Sequence, residues 1–353
     1  MRPLSQLKDI IISPESTLLS ALKRMDEVRK KLLLVFDNQK YIGLLSIGDL
    51  QRAIISGVDL NIPITNVIKK DVIIAKPENT IEDIKKIMLT IRAEFMPVVS
   101  DDGDLVDIHF WEDLFGLGET APVKQFNLPV VIMAGGFGTR LKPLTNVLPK
   151  PLIPIGEKTM LEEIFDRFGK HGCNHFFISV NYKAELIEYY LKSQNLPYVL
   201  DFFKEEEPMG TAGSLTLLKG KINETFMVSN CDILIEQDYS EILDYHKEHK
   251  NEITIVAALK HYPIPYGIVE SGDNGQLLEL REKPEMTFKI NSGMYILEPH
   301  LLDEIPENKF FHITQLIEKI QNKNGKIGVF PISEKSWKDV GLLSEYISSL
   351  NEY

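Results

Sequence analysis

A glycine-rich stretch with two cations close to it is the part of this sequence best suited to chemistry. Residues 133–151 read Met-Ala-Gly-Gly-Phe-Gly-Thr-Arg-Leu-Lys-Pro-Leu-Thr-Asn-Val-Leu-Pro-Lys-Pro. Glycines lack a Cβ, so the backbone N–H groups of such a loop can approach an anion closely. Arg140 and Lys150 add positive charge in the same region, and both side chains bind phosphate oxygens well. The apolar run 128–133 predicts a strand directly before the loop. We therefore expect a phosphate-binding loop at the end of a strand.

The spacing within this stretch distinguishes it from other phosphate-binding loops. It has neither the Gly-Lys-Ser/Thr of a Walker loop nor the dinucleotide fingerprint. Gly-Gly-X-Gly-Thr-Arg-Leu, followed by Pro-Lys-Pro around Lys150, closely resembles the signature of the sugar-1-phosphate nucleotidyltransferases. The resemblance implies catalytic roles for Arg140 and Lys150. It also implies nucleotide-binding roles for Ala134, Gly135, Gly136, Gly138 and Thr139.

Composition limits the class of protein. The chain has 353 residues and a net charge of −12, which gives room for two domains and argues against non-specific nucleic-acid binding. Two cysteines, Cys173 and Cys231, can form neither a disulfide framework nor a zinc site on their own. No signal-peptide pattern and no membrane-spanning apolar run is visible. We therefore expect a cytoplasmic protein with inert, reduced thiols and no membrane partner.

The first third contains an internal repeat at an offset of about 63 residues. Residues 13–18 and 76–81 share the pattern Pro-Glu-X-Thr followed by an apolar residue, and each precedes a helical pattern, two apolar strands and an Asp-Leu pair. This tandem resembles a pair of CBS domains, a βαββα module that often binds adenine nucleotides. The resemblance is also our basis for expecting a homodimer.

The resemblance implies one adenine-nucleotide site in this pair. In CBS domains a Ser or Thr three residues before an Asp contacts the ribose and phosphates, and Ser46 and Asp49 keep this pattern. In the second repeat Phe110 replaces the hydroxyl residue before Asp113. AMP or ATP is therefore expected at the first repeat at most. The alternative is that Asp49 only caps a helix over 50–55 and that the pair is structural or dimerising.

Two glycines and a proline within residues 116–122 predict a domain boundary near 118–126. Beyond it, apolar strand patterns, one of them at 198–200, alternate with helical ones such as 160–169. This alternation predicts an α/β fold with a mostly parallel, Rossmann-like sheet. Ligands of such sheets bind at the carboxyl ends of the strands. The expected organisation is two CBS repeats, a linker and a nucleotidyltransferase domain, at about 1–60 and 61–118, 119–127, and 128–353.

A second informative stretch lies at residues 205–213, where three glutamates precede Pro-Met-Gly-Thr-Ala-Gly. It resembles the Pro-Leu-Gly-Thr-Ala-Gly loop that covers the base in nucleotidyltransferases, which implies nucleotide-binding roles for Glu205, Gly210 and Thr211. Guanine offers two neighbouring donors that a carboxylate can accept, and adenine does not. One of the three glutamates is therefore a candidate for reading the base, which favours GTP, and the other two are expected in solvent.

Two aspartates are candidate Mg²⁺ ligands, and one of them, Asp232, is also a candidate catalytic residue. Asp232 ends an apolar strand pattern, and Asp339 lies in Trp-Lys-Asp-Val-Gly. The family holds its metal with an Asp in each of these places, and two carboxylates plus phosphate oxygens suffice for Mg²⁺. Taken alone, Asp232 could also be a helix cap or a turn residue. The sequence departs from the family after Gly341, where Leu-Leu-Ser-Glu replaces the frequent Thr-Pro-Glu.

Three further motifs resemble the sugar-binding segments of the family. They are Pro-Tyr-Gly at Gly267, Glu-Lys-Pro at Glu282 and Lys283, and Asn-Ser-Gly-Met-Tyr at Asn291. The resemblance implies that these four residues contact the sugar phosphate. Glu-Lys-Pro by itself is more often a solvated turn.

Together these resemblances imply transfer of a nucleotidyl group from an NTP, GTP being favoured, to a sugar-1-phosphate. Glucosamine-1-phosphate and mannose-1-phosphate are the favoured acceptors, and the products are a GDP-sugar and pyrophosphate. Such an in-line displacement needs positioning and charge neutralisation rather than a covalent intermediate. The alternatives are a cytidylyl-, uridylyl- or thymidylyltransferase, or a non-catalytic sensor of nucleotide sugars.

Overall fold

The computed structural model describes residues 7–38, 40–68, 72–116 and 122–350. The chain divides into two compact units, Met1–Pro122 and Val123–Tyr353. Residues 119–121 of the predicted linker lie outside the described residues, so its bounds stay a prediction.

The first unit is built from two similar modules. The first contains β1 (Ile11–Ile12), α1 (Leu18–Val28), β2 (Leu32–Asp37), β3 (Lys40–Ser46) and α2 (Ile47–Ile55). The second contains α3 (Ile81–Ile91), β4 (Phe95–Val99), β5 (Leu105–Phe110) and α4 (Trp111–Phe115). In the first module β1 is parallel to β2 and β2 is antiparallel to β3. In the second, β4 is antiparallel to β5, and a parallel bridge from Ala75 to Val98 takes the place of β1.

The repeated Pro-Glu-X-Thr motif starts the same helix in both modules. Thr17 caps α1 by accepting a hydrogen bond from the Ser20 N–H at 3.1 Å. Thr80 caps α3 in the same way and forms a capping box with Asp83. Satisfying these free N–H groups favours a helix start at this position. The predicted repeat is therefore a structural repeat.

The second unit is organised around a seven-stranded sheet. Its strands are β6 (Val130–Met133), β9 (His175–Val180), β10 (Val199–Lys204), β11 (Phe226–Asn230), β13 (Ile253–Pro263), β16 (Glu285–Leu297) and β17 (Ile327–Ile332). Their order across the sheet is β10-β9-β6-β11-β16-β13-β17. Every neighbouring pair is parallel except the two pairs made by β16. The predicted mostly parallel sheet is confirmed.

Shorter strands form three two-stranded pairs beside this sheet, and helices connect the strands. The pairs are β7 (Pro154–Ile155) with β8 (Lys158–Thr159), β12 (Ile233–Ile235) with β18 (Trp337–Asp339), and β14 (Ile268–Ser271) with β15 (Leu277–Arg281). The helices are α5 (Met160–Gly169), α6 (Ala184–Ser193), α7 (Gly210–Gly213), α8 (Tyr239–Glu248), α9 (Ile313–Asn322) and α10 (Leu343–Leu350). In the part of the chain that the structure describes, no helix is long and apolar enough to cross a membrane.

One large apolar core holds the site-bearing strands in place. Val131 of β6 and Val228 of β11 pack in it with Leu215 and with Leu316 of α9, and all four are almost fully buried. Met133 at the end of β6 lies between Ser179 and Asn230 in the neighbouring strands. Three parallel strands therefore end side by side, and the glycine-rich loop leaves from the middle one.

Candidate active site

The glycine-rich loop turns back over Lys150. Gly138 has a φ of +62°, which favours glycine. A Cβ at this residue would lie 2.7 Å from Thr145 Cγ2 and 3.1 Å from Lys150 Cβ. A Cβ at Gly135 would lie 3.0 Å from Glu205 Oε1. The loop thus brings Lys150 and Glu205, which are distant in sequence, to the same edge of the sheet.

Two residues that sequence reasoning missed hold the segment between Arg140 and Lys150. The Tyr182 hydroxyl donates to the first of the three carbonyl groups of residues 145–147, at 3.3 Å. The Lys183 ammonium donates to the other two, at 2.8 and 2.7 Å. Charge-assisted bonds of this kind are stronger than neutral ones. Both residues follow β9, a neighbour of β6, and position at the carboxyl end of a neighbouring strand is a signal that could have found them.

Pairing of two short strands brings the two predicted metal ligands together. In the antiparallel pair of β12 and β18, Ile233 lies opposite Asp339. The Val340 N–H donates to the Asp232 carbonyl at 3.0 Å. Asp232 and Asp339 are thereby neighbours although more than a hundred residues separate them.

Lys150 pairs with Asp232 in the interior of this edge. The Lys150 ammonium and Asp232 Oδ2 form a close ion pair, and their side chains are 11% and 8% exposed. Arg140 approaches the same oxygen at 3.8 Å, but its side chain is 59% exposed. Charges removed from water in this way interact strongly and depend on each other for compensation. The structure thus groups the three predicted catalytic residues.

The two aspartates suit a hard cation. A Cβ at Gly341 would touch Asp232 Oδ2 and would lie 2.8 Å from Asp339 Oδ1 and 3.0 Å from Lys150 Nζ. Both carboxylates therefore face the small space beside this glycine. Among residues 7–38, 40–68, 72–116 and 122–350, no group of three or more His, Cys, Asp or Glu could hold a metal. Mg²⁺ needs only one or two carboxylates when phosphate oxygens complete its shell, so the donor set fits Mg²⁺.

The residues predicted to bind the base lie around Glu205. This side chain is buried, whereas Glu206 and Glu207 are exposed. Its Oε1 accepts a hydrogen bond from the Ser179 hydroxyl, and its Oε2 accepts one from the Met209 N–H at 3.0 Å. The structure therefore distinguishes one glutamate from its two neighbours.

Gly210 and Thr211 connect this region to helix α9. Gly210 has a φ of +79°, and a Cβ there would lie 2.7 Å from the Phe311 carbonyl oxygen. The Thr211 hydroxyl accepts a hydrogen bond from the Ile313 N–H at 3.0 Å. Thr211 thus satisfies the first turn of α9 while its own side chain stays exposed.

Of the four residues predicted to bind the sugar, two meet each other. A Cβ at Gly267 would lie 3.0 Å from Glu282 Oε2, so these residues adjoin at the base of the β14–β15 hairpin. Lys283 follows with a φ of +44°. Asn291 lies in β16, where its amide donates to the Tyr295 hydroxyl at 2.8 Å and accepts from the Gly293 N–H at 3.2 Å.

Comparison with known proteins gives the family. The family model described as nucleotidyl transferase matches residues 129–353. The chain belongs to the nucleotidyl transferase family. The CBS domain model matches residues 5–56 and 64–108, so the predicted CBS pair is also confirmed.

Individual relatives match the nucleotidyl transferase part. The mannose-1-phosphate guanylyltransferase catalytic subunit beta of Dictyostelium discoideum is 34% identical over 233 residues. A probable mannose-1-phosphate guanylyltransferase 1 of Oryza sativa subsp. japonica is 32% identical over 235 residues. Each match covers 64% of this chain and 64% of the relative. The chain therefore spans slightly less than two thirds of the length of these curated relatives.

A solved structure supports the fold. HddC from Yersinia pseudotuberculosis is similar at a TM-score of 0.51 and 27% identity, and the match covers 64% of this chain and 99% of HddC. The same protein complexed with GMP-PN matches at a TM-score of 0.51 and 26% identity. The predicted fold class of the nucleotidyl transferase unit is thus confirmed.

In the CBS pair, Ser46 and Asp49 bond to each other. Helix α2 begins at Ile47, and Ser46 is its N-cap, accepting from the Asp49 N–H at 3.2 Å. Asp49 Oδ2 in turn accepts from the Ser46 N–H at 3.0 Å and from its hydroxyl at 2.6 Å. The predicted helix bounds of 50–55 were wrong, because Ser46 caps the helix three residues before Asp49, but Asp49 does take part in the cap through a capping box. Phe110 at the equivalent position of α4 makes no side-chain cap. The adenine-nucleotide site stays a prediction.

Proposed function

We propose that this chain transfers a guanylyl group from GTP to a sugar-1-phosphate and releases pyrophosphate. Mannose-1-phosphate and glucosamine-1-phosphate are the acceptors that we favour. The observation that carries the proposal is the meeting of Lys150, Asp232 and Asp339 beside the glycine-rich loop. The names of the curated relatives support guanylyl transfer to mannose-1-phosphate, and the HddC complex with GMP-PN supports a guanine nucleotide.

The chemistry follows from the charges at this edge. An oxygen of the sugar-1-phosphate attacks the α-phosphorus of GTP, and pyrophosphate leaves from the opposite side. Backbone N–H groups of residues 134–139 and the exposed Arg140 hold the triphosphate. Lys150 lies where the two anionic substrates meet and reduces their repulsion. Asp232 and Asp339 would hold Mg²⁺, which would supply further neutralisation of the negative charge on the α-phosphate. No group on the protein needs to form a covalent bond.

The preference for GTP rests on Glu205. Each oxygen of this buried carboxylate already accepts one hydrogen bond, from Ser179 or from Met209. A carboxylate has about four acceptor sites, so two remain for the neighbouring donors of guanine. Cytosine, uracil and thymine do not present that pair of donors in the same arrangement, and this is why we favour GTP over CTP, UTP and dTTP.

The CBS pair is proposed to regulate this reaction. Adenine nucleotide would bind at the end of β3, where Ser46 and Asp49 lie, and would have to exchange with the hydrogen bonds between them. We also propose that the two domains span about residues 1–118 and 128–353. The protein is further proposed to form a homodimer and to be located in the cytoplasm.

Product analysis of variants tests the proposed site. Wild-type protein, GTP, Mg²⁺ and mannose-1-phosphate should give GDP-mannose by anion-exchange chromatography. Asp232→Asn and Asp339→Asn should each lower product formation by about 10²–10³-fold. Asp244→Asn is the matched control, because Asp244 is a surface residue that pairs with Lys124. Wild-type product levels in Asp232→Asn would remove that residue from the mechanism, and no product from wild type with any sugar-1-phosphate would overturn the function.

A further inference from the structure

Strand β16 contains a bulge at the carboxyl edge of the sheet. Between the pairs Ile255–Tyr295 and Ala257–Asn291, strand β13 has one residue, whereas β16 has the three residues 292–294. Extra residues bend a strand locally and are often found beside functional sites. The bulge therefore moves this part of β16 out of the regular ladder, next to the end of β11.

Three hydrogen bonds fix the backbone of the bulge. The Trp337 indole N–H donates to the Ser292 carbonyl at 3.1 Å. The Gly293 N–H donates to Asn291 Oδ1 at 3.2 Å, and the Met294 N–H donates to the Ser292 hydroxyl at 3.3 Å. The other end of the Asn291 amide is bonded to Tyr295. Both Nδ2 and Oδ1 of Asn291 are thus hydrogen-bonded within its own strand.

Gly293 makes room for a different asparagine. Its φ is +87°, and a Cβ there would lie 2.6 Å from Asn230 Nδ2 and 3.1 Å from Asn230 Cγ. Any other residue at Gly293 would push the Asn230 amide away, so the glycine preserves this approach. Asn230 is the half-buried last residue of β11, two residues before Asp232. Within the stretches of chain described above, its side-chain amide makes no hydrogen bond to protein.

The order of strands places Asn230 on the sugar side of the site. The sheet runs β10-β9-β6-β11-β16. Glu205 follows β10, the glycine-rich loop follows β6, and Asn291 lies in β16. Along this edge Glu205 comes first, the glycine-rich loop second and strand β16 third. Asn230, at the end of β11, lies between the glycine-rich loop and β16.

A solvated residue at a strand end would also be half-buried and without a protein partner. Such a residue, however, would not require a glycine with a positive φ in the neighbouring strand, nor a bulge there that is held by hydrogen bonds. We propose that Asn230 is a specificity-determining residue that hydrogen-bonds a hydroxyl group of the sugar-1-phosphate. The amide can donate from Nδ2 or accept at Oδ1, and a hydroxyl group can serve as the acceptor or the donor in either case. This inference rests on the proposed function and adds to it the group that recognises the sugar.

The test compares Asn230→Ala with Asn223→Ala. Asn223 is an exposed asparagine just before the amino end of the same strand β11, where its amide contacts the Gly220 carbonyl at 3.5 Å. Loss of one hydrogen bond to a substrate hydroxyl should raise the KM for the sugar-1-phosphate about tenfold in Asn230→Ala. The KM for GTP should stay within about twofold, and Asn223→Ala should match wild type in both constants.

Deoxygenated substrates identify the hydroxyl. Wild type should discriminate against one monodeoxy analogue of mannose-1-phosphate by about tenfold, and Asn230→Ala should lose that discrimination. Gly293→Ala should show the same change by displacing the amide, with thermal melting as the check on its folding. An unchanged sugar KM in Asn230→Ala would overturn the inference. A raised KM for GTP, with lost discrimination against 2′-deoxy-GTP, would also overturn it by placing Asn230 on the ribose.

Calorimetry separates this inference from the proposed function. If wild type gives no turnover but binds mannose-1-phosphate, guanylyl transfer is refuted. Tenfold weaker binding of mannose-1-phosphate by Asn230→Ala would then still support the role of this residue. If wild type binds neither mannose-1-phosphate nor glucosamine-1-phosphate, both claims fail. If wild type turns over its substrates and Asn230→Ala binds the sugar-1-phosphate as tightly as wild type does, the inference is refuted and the proposed function stands.

Discussion

Replacing both members of the Lys150–Asp232 pair should restore stability but not catalysis. Both side chains lie in the interior of the edge, at 11% and 8% exposure. Removing one partner of such a pair leaves an uncompensated charge and costs about 3–5 kcal/mol. Arg140 remains near Asp232 after loss of Lys150, and Asp339 remains near Lys150 after loss of Asp232. We therefore expect about 3 kcal/mol for each of Lys150→Met and Asp232→Leu.

That cost can be measured as melting temperature. For a unit of the size of Val123–Tyr353, 1 kcal/mol corresponds to about 2–4 °C. Each single variant should therefore melt about 6–12 °C below wild type in the absence of metal and nucleotide. The double variant Lys150→Met/Asp232→Leu should melt within about 4 °C of wild type, because an apolar pair of similar volume leaves no charge uncompensated.

Activity should behave differently across the same four proteins. Pyrophosphate release by either single variant should fall by about 10²–10³-fold, and the double variant should not recover. Recovery of stability without recovery of turnover would show that the charges serve the reaction rather than the fold. The reasoning fails if the double variant melts as low as the sum of the single variants, or if Lys150→Met keeps wild-type turnover.

Three further perturbations test other parts of the structure. Lys183→Met should lower kcat about tenfold with little change in melting temperature, since the carbonyl groups of Asn146 and Val147 lose their charge-assisted hydrogen bonds. An unchanged kcat would contradict this role. Burial raises the pKa of the Cys173 and Cys231 thiols to about 12, so a disulfide reagent at pH 8 should label them only as denaturant unfolds the chain; immediate labelling of native protein would refute it. Burial lowers the pKa of His246, so below about pH 6.5 the unfolded chain binds a proton that the folded chain does not, and stability falls as the pH falls. His246→Gln should show a smaller drop in melting temperature between pH 7 and pH 5.5, and an equal drop would argue against this cause.

Local signals predicted much of the fold. The Pro-Glu-X-Thr repeats identified two capped helices because N-capping depends on residues within one turn. The helical pattern at 160–169 corresponds to α5, Met160–Gly169. The strand before the glycine-rich loop was found from a short apolar run, although the structure starts it at Val130. These features need only neighbouring residues for their stability.

The strand after α6 was predicted too short. The sequence indicated residues 198–200, whereas β10 spans Val199–Lys204. This strand lies at the edge of the sheet, where a polar residue such as Asp201 can face solvent, and its sequence therefore lacks a continuous apolar run. A strand ending at Lys204 places Glu205 directly at the carboxyl edge, which distinguishes it from the two following glutamates.

Contacts between distant segments could not be derived from sequence patterns. The pairing of β12 with β18 that joins Asp232 to Asp339 depends on the whole unit, and only the family resemblance suggested it. The bulge in β16 likewise arises from side chains of two strands. The hydrogen bonds of Asn291 within its own strand, and the close approach of Gly293 to Asn230, likewise depend on the three-dimensional structure.

The central claim is tested most directly by pyrophosphate release from the full chain with Mg²⁺. The assay uses GTP, CTP, UTP, dTTP and ATP as donors, each with mannose-1-phosphate, glucosamine-1-phosphate and glucose-1-phosphate, and repeats the active pair with added AMP. We predict release with GTP and with mannose-1-phosphate or glucosamine-1-phosphate as acceptor. Release with CTP, UTP or dTTP alone would contradict the base preference assigned to Glu205. Release with no pair of substrates would contradict the catalytic account and leave nucleotide-sugar binding as the function of this site.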